Sequence, residues 1–94
     1  MSKYIIKHTK VFKRQLKKFK NDRKTLDEIE NIVDKLANDE KLEARYNDHQ
    51  LSGNLKELRE CHIKPNLLLV YDKQKDALIL NCMSLGSHSE AFKK

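Results

Sequence analysis

The chain has 94 residues, 38% hydrophobic and 36% charged; at this size it buries little more than about 60% of the surface it exposes when unfolded, enough for one core and a single domain over residues 1–94. No apolar run approaches the roughly 20 residues of a membrane helix, and MSKYIIKHTK has no apolar centre of the kind a secretion signal needs, so the expected setting is the cytoplasm, with no membrane partner. The net charge of +6 is concentrated: residues 1–24 hold ten Lys or Arg against Asp22 alone, a balance of +9, leaving −3 for the other 70, and such a field attracts polyanions, nucleic acid first among them.

Lys3 to Lys7 is short and rich in strand formers, which predicts a first strand. Thr9 can cap a helix in which Phe12, Leu16 and Phe19 form one apolar stripe among lysines and arginines. After a polar link at residues 21–24, Thr25-Leu-Asp-Glu28 reads as a capping box opening a second helix, with Leu26, Ile29, Ile32, Val33 and Leu36 as its core stripe and Asn38 as its stop. NDEKLEARYNDHQLSG is a polar connector that turns at Ser52-Gly53. Three strands follow, Leu55 to Ile63, Leu67 to Tyr71 and Ala77 to Cys82, with gaps of hairpin length, and SLGSHSEAFKK adds a short strand or a tail. The expected architecture is α+β, β-α-α-β-β-β with an optional last strand, two helices covering one face of an antiparallel-rich sheet of four or five strands.

Alternation along Arg59-Glu60-Cys61-His62-Ile63 sends Cys61 and Ile63 to one face and Glu60 and His62 to the other. If the helices cover the first face, Glu60 and His62 stand on the open side as a surface feature. His49, His62 and His88 are the candidate proton-transfer groups; His8 opens the basic helix. An isolated imidazole is more often structural, and spacing alone does not bring these together. Several imidazoles and a carboxylate in a basic protein suit RNA phosphodiester cleavage, which needs a base for the 2′-hydroxyl, an acid for the leaving oxygen and cations around the phosphate. A zinc ion on three histidines is the competitor, but no short H-x-x-x-H or C-x-x-C spacing supports it. Cys61 and Cys82 read as separate buried thiols.

DHQLSGNLKELRECHIKPNLLLVYD, residues 48–72, and LGSHSEAF, residues 85–92, resemble the YafQ-type branch of the RelE/ParE superfamily, the toxin halves of bacterial type II toxin–antitoxin modules. The likeness lies in DH-x-L-x-G, then R-[DE]-x-H-x-x-P, an apolar strand and G-[ST]-H near the end. It implies a RelE-like fold and a ribosome-dependent messenger-RNA endonuclease, working in the decoding site of the small subunit without metal or other cofactor. It also implies a small antitoxin as partner, whose complex with the toxin can bind operator DNA. Carried over by position, His49, His62 and His88 match the family's functional histidines, with His88 as general acid, His49 as base ahead of His62, and Glu60 orienting or charging an imidazole. Arg59, Lys56, Lys64, Asn66 and Phe92 fall at positions expected to meet RNA.

Two positions depart from the pattern. Asn66 stands where an aspartate is common after the proline, and an amide cannot stabilise an imidazolium as a carboxylate does. Ser84 stands where relatives often carry arginine, which removes a bidentate phosphate clamp; Lys64, Lys56 or Arg59 can supply the charge but a lysine lacks the fork. Both predict weakened cleavage. They keep open a toxin that binds the ribosome without cutting, and the ParE-like alternative of acting on DNA gyrase, against which the histidine set argues.

Overall fold

A computed structural model of the chain describes residues 2–53 and 57–87. Strand β1 (Ile5–His8) leads directly to Thr9, whose hydroxyl accepts from the Phe12 N–H and donates to the Met83 carbonyl at 2.7 Å. One side chain thus caps α1 (Lys10–Leu16) and ties it to the sheet. The helix tightens into a 3₁₀ turn over Lys17–Phe19. Phe12 is buried as its spacing predicts, and Leu16 and Phe19 pack partly buried against the core. Gln15, which the apolar stripe does not foretell, is buried beside them because its Oε1 accepts the Leu85 N–H at 2.5 Å, satisfying a buried strand donor.

Helix α2 spans Arg23–Ala37. It begins earlier than the capping-box reading predicts, because Asp22, not Thr25, caps it: the carboxylate accepts the Thr25 N–H at 3.2 Å and the Thr25 hydroxyl at 2.7 Å. An anion at a helix N-terminus also meets the positive end of the macrodipole. Thr25 is buried in the first turn and accepts a hydrogen bond from Lys64 Nζ at 2.7 Å. Ile29, Ile32, Val33 and Leu36 form the expected buried stripe, and the helix ends at Asn38. Asp39, at φ 62, then pairs with Lys3 at 3.1 Å and Lys73 at 2.5 Å.

The sheet has the order β1-β5-β4-β3-β2, with β2 (His49–Gln50), β3 (Arg59–Lys64), β4 (Leu67–Gln74) and β5 (Ile79–Gly86) antiparallel in turn and β1 parallel to β5. The meander over β3, β4 and β5 is as the gap lengths predict. Strand β3 starts at Arg59, with Glu57 and Leu58 before it outside the strand, while the expected start at Leu55 lies outside the described residues; the last strand runs on from Ile79 to Gly86, so Ser84 and Leu85 are strand residues. The helices meet one face of the sheet, where Cys61, Ile63, Leu67, Leu69, Tyr71, Leu80, Cys82 and Leu85 complete the core. Cys61 and Cys82 are free, and burial pushes each thiol up to about 12. No helix among the described residues is long and apolar enough to cross a membrane.

Candidate active site

The face of β3 turned away from the core carries Glu60 and His62, as alternation requires. The register then extends this face sideways. His49 lies opposite Glu60 across the β2–β3 pair, Glu60 opposite Val70, and Val70 opposite Ser84. One row across the sheet therefore joins His49, Glu60 and Ser84, and a neighbouring row places His62 beside Leu68. Two residues of strand pairing at β2, too short for any periodic signal, make the placement.

The two imidazoles converge on a single oxygen. Glu60 Oε1 is 3.5 Å from His49 Nε2 and 3.6 Å from His62 Nε2, and the rings are 6.5 Å apart. The rings are accessible, with side chains 41% and 31% exposed, whereas the Glu60 side chain is 5% exposed. The expectation of Glu60 as a surface group is thus corrected: its row neighbours Val70 and Ser84 are buried with it. Its second oxygen, Oε2, is buried without a hydrogen-bond partner among the described residues. An unpaired buried carboxylate oxygen is costly, so it is a group for which an incoming donor is favourable.

His49 is also fixed from behind. Its Nδ1 is 2.7 Å from the carbonyl of Asn47, a residue in the left-handed region at φ 45. A carbonyl only accepts, so Nδ1 carries hydrogen and Nε2 is the nitrogen free to exchange a proton. Asp48, the residue between them, points into a second network: the buried Tyr71 hydroxyl donates to its Oδ1, Arg59 Nε donates to the Tyr71 hydroxyl at 3.2 Å, and Arg59 Nη2 lies 3.4 Å from Asp48 Oδ2. Burial, and then the acceptor Asp48, hold the Tyr71 phenol far above its usual range. Burial works against the Arg59 charge, yet Tyr71 and Asp48 leave its pKa raised. Arg59 stands opposite Tyr71 and so belongs to the core side, apart from Glu60 and His62. Asp48 and Tyr71 both lie in the motif stretch, but only the fold shows that they meet, at the residue next to His49.

The other sequence candidates fall in different places. Lys64 ends β3 and reaches back to α2 through Thr25. Asn66 is an exposed residue of the β3–β4 turn. His8 lies at the far edge of the sheet, its ring 4.8 Å from Phe12, and its imidazole is lowered by burial and then by Lys13. Lys56, His88 and Phe92 lie outside the described residues. His49, Glu60 and His62 are donors of types a transition metal accepts, but among the described residues no group of three or more His, Cys, Asp or Glu side chains is disposed to hold one.

Comparison with known proteins bears on the family and the fold. A family model described as a bacterial toxin of type II toxin–antitoxin system, YafQ, matches residues 4–93. A metal-bound toxin from Helicobacter pylori is 42% identical, covering 95% of this chain and 99% of its own, with a TM-score of 0.86. The DinJ–YafQ toxin–antitoxin complex of E. coli is 24% identical over 96% of this chain and 98% of its own (TM-score 0.82), and the YoeB dimer of Staphylococcus aureus 20% identical over 93% and 99% (TM-score 0.78); these two show the fold. No curated protein matches the chain.

Proposed function

The chain belongs to the YafQ family of type II toxin–antitoxin toxins, and from that premise we propose that it is a ribosome-dependent messenger-RNA endonuclease that cuts by acid–base catalysis. The observation that carries this reading is the single Glu60 oxygen facing both His49 and His62 on an accessible sheet face. In the proposed step His49 Nε2 takes the proton of a ribose 2′-hydroxyl, and the freed oxygen attacks the adjacent phosphorus. The bond to the 5′-oxygen breaks as that oxygen gains a proton, leaving a 2′,3′-cyclic phosphate and a 5′-hydroxyl. His88 is the proposed acid. His62 binds a phosphate oxygen or relays the proton, and Glu60 stabilises the imidazolium that forms. Each proton-transfer group is worth roughly 100- to 10,000-fold in rate, about 3–5 kcal/mol.

Arg59 enters this account as a positioning residue, because its guanidinium is engaged by Tyr71 and Asp48 beneath His49. Lys64 and Lys56 remain the proposed phosphate-binding cations, with Asn66 and Phe92 at the margin of the RNA path. Ser84 stands in the same row as Glu60, so the missing arginine fork falls within the site and weakens it. That favours a second reading, a toxin that occupies the decoding site and cuts slowly. Asn66→Asp, at an exposed turn position, then speeds cleavage.

The proposed protein partner is an antitoxin, as in the DinJ–YafQ complex. The basic N-terminal segment suits an acidic partner, and β1, the terminal strand of the sheet with Ile5 63% exposed, suits an added strand. Binding of that complex to operator DNA, and action in the cytoplasm where ribosomes are, follow from the same reading. The test is cell-free translation with primer extension on the message: wild type produces new 5′ ends and His49→Ala does not. Intact message with wild type, and ribosomes that co-sediment with the protein, would leave only the non-cutting reading.

A further inference from the structure

Strand β2 pairs with β3 only at Glu60 and Arg59. Beyond that point, among the described residues, the edge of β3 opens on a cavity of about 530 Å³, well within the range of small-ligand sites. Its wall includes His62 and Lys64 from β3, Glu28 and Asn31 from α2, and Arg45 and Tyr46 from a 3₁₀ turn over Ala44–Tyr46. The Arg45 guanidinium lies over the Tyr46 ring, 4.6 Å from its centroid; its Nη2 donates to the Tyr46 hydroxyl at 2.6 Å and its Nε is 3.6 Å from Glu43. These contacts fix a flat cation whose side chain is still 70% exposed. Such a plane, backed by an aromatic ring, is a surface on which an unpaired RNA base stacks.

The part of the lining that α2 supplies offers polar groups of a particular kind. Glu28 only accepts hydrogen bonds and Asn31 both donates and accepts. An accepting carboxylate favours bases with an exocyclic amino group, adenine, cytosine and guanine, over uracil, whose hydrogen-bonding edge presents two carbonyls around one N–H. Because His62 is shared between this cavity and the Glu60 pair, a base held here belongs to a nucleotide beside the phosphate under attack. We propose that the cavity is a base-reading pocket, in which Arg45 and Tyr46 supply stacking and Glu28 with Asn31 selects against uracil next to the cut. The proposal rests on the endonuclease reading and names the part of the substrate that the same site reads.

The test titrates the full-length toxin with each of the four nucleoside 5′-monophosphates, followed by backbone NMR. The expected result is shifts at Asn31, Arg45 and Tyr46, with the uridine nucleotide binding at least about fivefold more weakly than the others. Arg45→Ala weakens all four, and Glu28→Gln removes the discrimination. Shifts confined to other surfaces, or the same ranking in Glu28→Gln as in wild type, would overturn the pocket. In a second arm, cut sites are mapped on a message in cell-free translation, and Glu28→Gln raises the share of cuts beside uracil. An unchanged share overturns the proposal while cleavage itself stands. A wild type that cuts nothing overturns the endonuclease reading, and the nucleotide titration then decides the pocket alone.

Discussion

Glu60 is held in a state that costs stability: one oxygen faces two imidazoles and the other is buried without a partner among the described residues. A buried polar atom left unsatisfied costs about 1–3 kcal/mol, and sites that keep such a cost are commonly those where function needs it. Glu60→Gln removes the charge, so the variant is expected to resist urea as well as wild type or better, by about 1 kcal/mol, while cleaving about 100-fold more slowly or worse. A less stable variant with full cleavage would reverse both inferences. His49 depends on different neighbours. Tyr71→Phe leaves Asp48 without its phenol donor and is expected to lose about 1–3 kcal/mol, and the loosened His49 lowers the cleavage rate of the bound complex more than it lowers ribosome affinity. Equal melting and equal cleavage would show that the phenol does not brace the histidine.

At the scale of elements, the sequence is informative where a period is long enough to read and silent where placement depends on a partner. The stripe of Ile29, Ile32, Val33 and Leu36 marks α2, and the alternation of Arg59 to Ile63 assigns Cys61 to the core and His62 to the far face. Strand β2 has two residues and no period, so the opposition of His49 and Glu60 is a product of sheet register. The parallel pairing of β1 with β5 joins the ends of the described chain and is invisible locally. The motif stretch named His49, Glu60 and His62; it did not show Tyr71 and Arg59 meeting Asp48 beneath them. Another long-range tie has a pH signature. Asp39, just past α2, is lowered to about 2, first by its hydrogen bond from Lys73 and then by that from Lys3. A depressed carboxyl stabilises the fold above its unfolded value and loses that contribution as pH falls, here across about 4 to 2. Carbon-13 titration should place the Asp39 midpoint near 2 in wild type and higher in Lys73→Met; the same midpoint in both would deny the tie.

For the whole molecule, charge and chemistry occupy different places. The basic helix α1 packs along β5 through Thr9 and Gln15, whereas the imidazoles sit on β2 and β3 at the other side of the sheet and on its opposite face. On the proposed reading the cations serve encounter and docking, and His49 and His62 serve the reaction. Replacing the exposed Lys10, Lys13 and Lys17 by glutamine should weaken ribosome binding and lower its salt slope by about 0.7–0.9 for each phosphate no longer neutralised; an unchanged slope would mean that α1 meets no nucleic acid. The account as a whole stands on His49 and His62 acting together through Glu60. The most direct measurement is single-turnover cleavage of a ribosome-bound message by wild type, His49→Ala, His62→Ala and the double variant. Groups that act as a unit give a double variant little slower than the worse single one. Losses that multiply, or single variants as fast as wild type, would contradict a shared site.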